Sequence, residues 1–166
     1  FPPYVEKAQK LKTHTKIINK NIQDLKFESK SFDAVVLIEV IEHLPKEVVQ
    51  ELIHKAEKWA KKKIIITSPN GFIPQTEIDG NPMQKHLSGW DLKTMKSLGF
   101  TCKGLAGLKF LRDNAEKDTM NDDLTASIRF KPRKLWFLIA ALSQIITYYT
   151  PSIAFELFSI RKIVNS

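Results

Sequence analysis

Ser31-Phe-Asp-Ala-Val-Val-Leu-Ile-Glu-Val-Ile-Glu-His-Leu44 and, further along the chain, Ile64-Ile-Ile-Thr67 are the stretches that decide the fold. Ala34–Ile38 within the first is short, continuous and β-branched, the pattern of a strand buried on both faces. Pro45 then opens a helix whose apolar positions are Val48, Val49, Leu52, Ile53, Ala56 and Trp59, a helical period. Lys61-Lys-Lys63 suits the negative end of that helix's dipole. Ile64–Thr67 reads as a second buried strand, broken by Ser68-Pro-Asn-Gly71. Strand, helix, strand at these lengths is a βαβ unit. The sheet is therefore expected to be parallel and the fold α/β.

Outward from this unit the pattern continues. Pro2 and Pro3 suit the first turn of a helix running to Lys12. Lys16-Ile-Ile18 reads as a short strand and residues 19–30 as a polar connection. Residues 72–89 read as a loop, and a helix from about Asp91 to Ser97 ends at Gly99, a residue suited to a left-handed cap. Phe100–Phe110 reads as a strand, residues 112–127 as a mobile polar loop, Leu135–Tyr149 as an apolar helix ended by Pro151, and Ala154–Val164 as a last strand.

The chain has 166 residues, 43% hydrophobic and 27% charged, so it can bury a core and is not disordered by composition. Its net charge is +8. The lysines are spread out and form no focused basic stripe, which argues against nucleic acid as a partner. The single cysteine, Cys102, forms no internal disulfide and fits a reducing compartment, hence the cytoplasm.

Several motifs in order resemble class I S-adenosylmethionine-dependent methyltransferases of the type 11 domain. Leu25-Lys-Phe27 and then Ser31-Phe-Asp33 are similar to the opening of that family's fourth strand, and Glu42-His-Leu44 to its close. Thr67–Gly71 resembles the end of the fifth strand. His86-Leu-Ser-Gly-Trp90 and Leu98-Gly-Phe100 resemble the segment before the sixth. The resemblance runs from about residue 1 to 110, and more faintly from 154 to 164. It implies a Rossmann-like sheet, mostly parallel, with the last strand inserted antiparallel. The family's glycine-rich turn and the acidic residue that meets the cofactor's ribose have no counterpart here. Phe1-Pro-Pro-Tyr4 is similar to the family's sequence just after that acidic residue. The chain is accordingly expected to be a single partial domain over 1–166, truncated at the amino terminus, with an apolar helical insertion at about 130–150. Alone, it is expected to bind S-adenosylmethionine weakly or not at all.

The resemblance also implies site residues. Asn21 and Ile22 sit where the family meets the adenine, although the family often has Asp at the first. Ile38 and Glu39 end the fourth strand, where a backbone carbonyl usually meets the cofactor's ammonium group. Glu39, Glu42 and His43 form a polar cluster to which His86 can add a fourth ligand. Such a set can bind a divalent ion, magnesium if oxygen ligands dominate. It is similar to the metal set of methyltransferases acting on vicinal hydroxyls. Without a metal, His43 or His86 is a candidate general base.

Leu135–Tyr149 carries no charge, but Ser143, Gln144 and Thr147 argue against a membrane span. Arg129, Lys131, Arg133 and Lys134 flank it beside Trp136 and Phe137, a composition that suits a membrane surface. Three readings remain: a core helix, a lid over the substrate, or a peripheral anchor. The function expected is methyl transfer to a small-molecule or lipid-linked acceptor, in the cytoplasm or peripherally at the membrane. The alternative is a non-catalytic methyltransferase-like interaction module or an inactive fragment.

Overall fold

A computed structural model describes residues 1–78, 80–113 and 125–164. Helix α1 (Pro2–Leu11) leads the chain. Strand β1 (Phe32–Ile38), helix α2 (Lys46–Trp59) and strand β2 (Ala60–Pro69) form the βαβ unit. After a long connection come α3 (Leu92–Ser97), β3 (Thr101–Leu108), α4 (Arg133–Tyr149) and β4 (Ala154–Lys162).

The strands form one sheet in the order β1-β2-β4-β3. β1 and β2 pair in parallel, with Ala34 opposite Lys63 and Ile38 opposite Thr67. β4 lies between β2 and β3 and runs antiparallel to both. Three strands therefore point one way and the last is inserted against them, the class I methyltransferase arrangement expected from the sequence. The carboxyl ends of β1 and β2 share one edge, where open α/β sheets bind ligands.

The main core lies between α2 and the sheet. Val49, Leu52, Ile53, Ala56 and Trp59 of α2 bury against Leu37, Ile64 and Ile66. Burying each large apolar side chain contributes about 1.5–3 kcal/mol. α3 closes one end: Asp91 caps it by accepting from Thr94 N–H at 2.8 Å, and Gly99 leaves it at φ 81°.

α4 packs on β3 through small residues. A side chain at Gly104 would collide with the Thr147 carbonyl, and one at Gly107 with the Ala140 carbonyl. The helix backbone thus rests directly on the strand. Polar groups lock this contact. Ser143 Oγ accepts from Leu108 N–H at 3.0 Å, and Gln144 bridges Gly107 N–H and Gly104 C=O at 3.1 and 2.8 Å.

Three sequence expectations change. Lys16–Ile18 forms no strand, because no strand among the described residues pairs with it and β1 ends the sheet. β1 is not buried on both faces: it is the edge strand, and Val36 and Ile38 are exposed. Lys61–Lys63 belong to β2 rather than to the end of α2: the helix stops at Trp59 and Ala60 is already extended. Most of the loop expected at 112–127 lies outside the described residues.

Candidate active site

Backbone conformation shapes the site first. Glu39, directly after β1, has φ 49°, a left-handed conformation costly for a residue with a side chain. Its N–H holds Thr67 at the matching end of β2, 3.2 Å from the carbonyl and 3.3 Å from Oγ1. The chain then turns through a short 3-10 segment, Ile41–His43. On the other side, Asn21 starts another such turn, Ile22–Asp24, and its Oδ1 accepts from Gln23 N–H at 3.1 Å.

Between these turns lies an open cavity of about 740 Å³ whose lining includes Asn21, Ile22, Glu39, Val40, His43 and Met83. Four of the residues singled out in the sequence thus share one cavity: Asn21, Ile22, Glu39 and His43. Ile38 does not line it, and its side chain is 65% exposed. Glu42 and His86 are buried and also absent from that lining.

The His86–Trp90 motif has a local structural role. Leu87 and Ser88 donate their N–H groups to Glu42 C=O at 2.7 and 3.1 Å. The Ser88 hydroxyl donates to Leu44 C=O at 2.7 Å, and Trp90 Nε1 donates to Ser88 Oγ at 2.8 Å. This clamp fastens the long connection onto the turn after β1. It brings the rings of His86 and His43 edge to face, with centroids 4.8 Å apart.

Both imidazoles are oriented from behind. Nδ1 of His43 lies 3.2 Å from Lys85 C=O, and Nδ1 of His86 lies 2.6 Å from Ile73 C=O. A carbonyl only accepts, so each Nδ1 carries a proton, and in the neutral ring Nε2 then keeps the lone pair. Burial lowers the pKa of His86, which favours this neutral form. Glu42 is 2% exposed, and neither carboxylate oxygen has a hydrogen-bond partner. Burial first, and then the neighbouring Glu39, raise its pKa to about 8. One donor atom from each of Glu42, His43 and His86 lies within 4.8 Å of the others. Glu39, included in the set expected from the sequence, stands outside this group.

Glu156 is a polar residue within the apolar last strand. It sits on β4 opposite Pro69 at the end of β2. Burial and the charge of Glu39 raise its pKa to about 7, against the opposing pull of Arg112. Arg112 donates to Ala106 C=O at 2.7 Å and to Ser127 Oγ at 2.6 Å. No sequence spacing marks either residue. Their association depends on β4 entering the sheet between β2 and β3.

Residues 2–65 match the family model described as "Methyltransferase domain". Comparison with curated proteins gives no match. Among solved structures, the chain is similar to a SAM dependent methyltransferase from Archaeoglobus fulgidus, at 16% identity and a TM-score of 0.47, covering 95% of this chain and 72% of that one. With its sheet order and the match over 2–65, the chain carries a region that resembles the class I S-adenosylmethionine-dependent methyltransferases.

Proposed function

We propose that the protein transfers a methyl group from S-adenosylmethionine to a hydroxyl or amine of a small-molecule or lipid-linked acceptor. The observation that carries this reading is the single cavity joining the Asn21–Gln23 turn to Glu39 and His43 at the carboxyl end of β1. Residues 1–166 act as one partial methyltransferase domain, with the helix at about 130–150 as its insertion.

The residues present fit one side of the cofactor. Asn21 Oδ1 spends one lone pair on its own turn and retains another for the adenine amine. Ile22 offers an apolar edge beside it. The Ile38–Glu39 backbone, held at φ 49° after Ile38, directs its polar groups to the end of the sheet where the cofactor's ammonium group is expected. No glycine precedes Gly71, so the chain itself supplies no glycine-rich cradle. Bound at this site, the cofactor supplies an electrophilic methyl group on a sulfonium. The protein holds the acceptor in line and accepts its proton. His43 is the better base of the two histidines, because it lines the cavity. His86 packs against its ring from behind. Buried Cys102, its thiol pKa raised by burial, plays no chemical part, and the protein works in the reducing cytoplasm.

A second reading adds a divalent metal. The Glu42 carboxylate, which accepts no hydrogen bond and has Oε1 3.9 Å from His43 Nε2, fits an ion held with His43 and His86, both histidines being already oriented by backbone carbonyls. Two imidazoles and one carboxylate suit a borderline metal such as zinc, manganese or iron(II) better than magnesium. When bound, the metal supplies a Lewis acid that lowers the pKa of an acceptor hydroxyl. The rival reading is a non-catalytic interaction module.

Transfer of labelled methyl from S-adenosylmethionine to a panel of catechols and amines tests the proposal. It is run with the chain and with any longer form of the protein that carries it, with and without chelator. Transfer that His43→Ala abolishes supports it. A folded protein that binds no cofactor and labels no acceptor overturns it in favour of the interaction module. Activity indifferent to chelation removes the metal.

A further inference from the structure

The side of α4 that faces away from β3 has no partner among the described residues. Ala140, Ser143 and Thr147 face the strand and are buried. On the opposite side Leu135, Leu138, Leu142, Ile145 and Tyr149 recur at three- and four-residue spacing, and all are exposed. Leu142 is 61%, Ile145 69% and Tyr149 73% exposed. Exposed Ile139, Ile146 and Ile153 widen this stripe. At 1.5 Å per residue, Leu135 to Tyr149 spans about 21 Å of continuous apolar surface. Patches of this size mark an interaction surface rather than ordinary solvent exposure.

The charges at its ends identify the occupant. Lys131, Arg133 and Lys134 are exposed at the start of the helix. At its other end Lys103 Nζ stands over the rings of Tyr148 and Tyr149, 4.6 and 5.2 Å from their centroids. No acidic residue occurs between Thr125 and Phe155. A second copy of the chain would bring this face against an equally basic rim, with no carboxylate between residues 125 and 155 to answer. A surface that is apolar within and anionic at its boundary matches it. No helix among the described residues is long and apolar enough to cross a membrane.

We propose that α4 lies in the interface of an anionic lipid bilayer, with Leu138, Leu142 and Ile145 below the headgroups and Lys131, Arg133 and Lys134 among the phosphates. Basic residues and aromatic rings flanking an apolar helical face are the physical requirements for such binding. Acidic residues are frequent at 113–123, just before the basic cluster. The surface is fastened to the edge of the sheet where β2 ends. Asn70, directly after β2, donates through its side-chain amide to Pro151 C=O at 3.1 Å and Ala154 C=O at 3.0 Å, in the turn after α4. The proposal does not depend on methyl transfer.

Co-sedimentation of the full chain with vesicles of phosphatidylcholine, with and without phosphatidylglycerol, tests it. Binding is expected to the mixed vesicles, to weaken with salt, and to be small on phosphatidylcholine alone. The double variant Leu142→Glu/Ile145→Glu, at exposed positions that leave the β3 contact intact, is expected to lower the partition coefficient on the order of tenfold or more. Its circular dichroism should match that of the parent. Failure of the folded parent to bind anionic vesicles overturns the proposal. So does equal binding by parent and variant, which would mean that charge alone acts. A parent that is dimeric by light scattering, turned monomeric by the variant, would assign the face to a second copy and equally overturn it.

Discussion

Replacing Glu42 by Gln should raise stability at neutral and alkaline pH and leave it unchanged or lower in acid. The carboxyl group is 2% exposed with no hydrogen-bond partner, and its pKa moves from 4.5 to about 8 on folding. Below pH 4.5 the group is protonated in both states and contributes no pH dependence. Between 4.5 and about 8 the folded protein keeps the proton while the unfolded chain releases it. The folded state therefore binds more protons, and stability falls as pH rises, by about 1.4 kcal/mol per unit. Across the window this reaches roughly 5 kcal/mol, and at pH 7 roughly 3 kcal/mol. Gln carries no such term, but its amide takes an unpaired polar group inside at a cost of about 1–3 kcal/mol. Glu42→Gln should thus gain about 2–4 kcal/mol over the parent at pH 8, on the order of 5–10 °C in Tm, and lose about 1–3 kcal/mol at pH 4.5. Urea unfolding of both proteins across this range is the assay. Glu156 titrates in the same direction, chiefly through burial that both proteins share, so most of its contribution is common to the two curves. If a metal binds here, adding the ion should restore the parent's stability at pH 8 and not affect the variant. Parallel stability curves for the two proteins would refute the reasoning.

Two further perturbations test the scaffold. Gly104→Ala places a methyl group against the Thr147 carbonyl and Ala154 Cβ, so α4 must lift from β3; a loss of about 1–3 kcal/mol is expected in urea unfolding. Asn70→Ala removes the amide that donates to Pro151, Ser152 and Ala154 carbonyls, and should cost about 1–3 kcal/mol and speed amide exchange in 150–154.

The βαβ unit was legible because it is local. The apolar run at 34–38, the stripe from Val48 to Trp59 and the run at 64–67 each carry their own period, and one crossover joins them. The order β1-β2-β4-β3 was not contained in any period. It came from the resemblance, since an antiparallel insertion is a long-range pairing of Pro69 with Glu156 and of Leu105 with the same residue. Glu156 and Arg112 escaped notice for that reason. Asn21 and Ile22 came from the resemblance, since the strand expected before them does not form; Glu39 and His43 follow the run at 34–38, whose end is marked in the sequence. Which of His43 and His86 lines the cavity was not legible, because the clamp of Ser88 and Trp90 on the 41–44 turn decides it. The exposure of β1 was misread because a continuous apolar run does not say whether the strand lies inside a sheet or at its edge.

An NMR titration of the chain with S-adenosylmethionine into the millimolar range, which registers even weak binding, tests the cofactor site most directly. Amide shift changes are expected to concentrate at residues 19–23 and 39–43, the two turns that face each other across the cavity. Shifts that gather on another face of the sheet, or a spectrum left unmoved in a longer form of the protein that also carries a glycine-rich turn, would contradict the assignment.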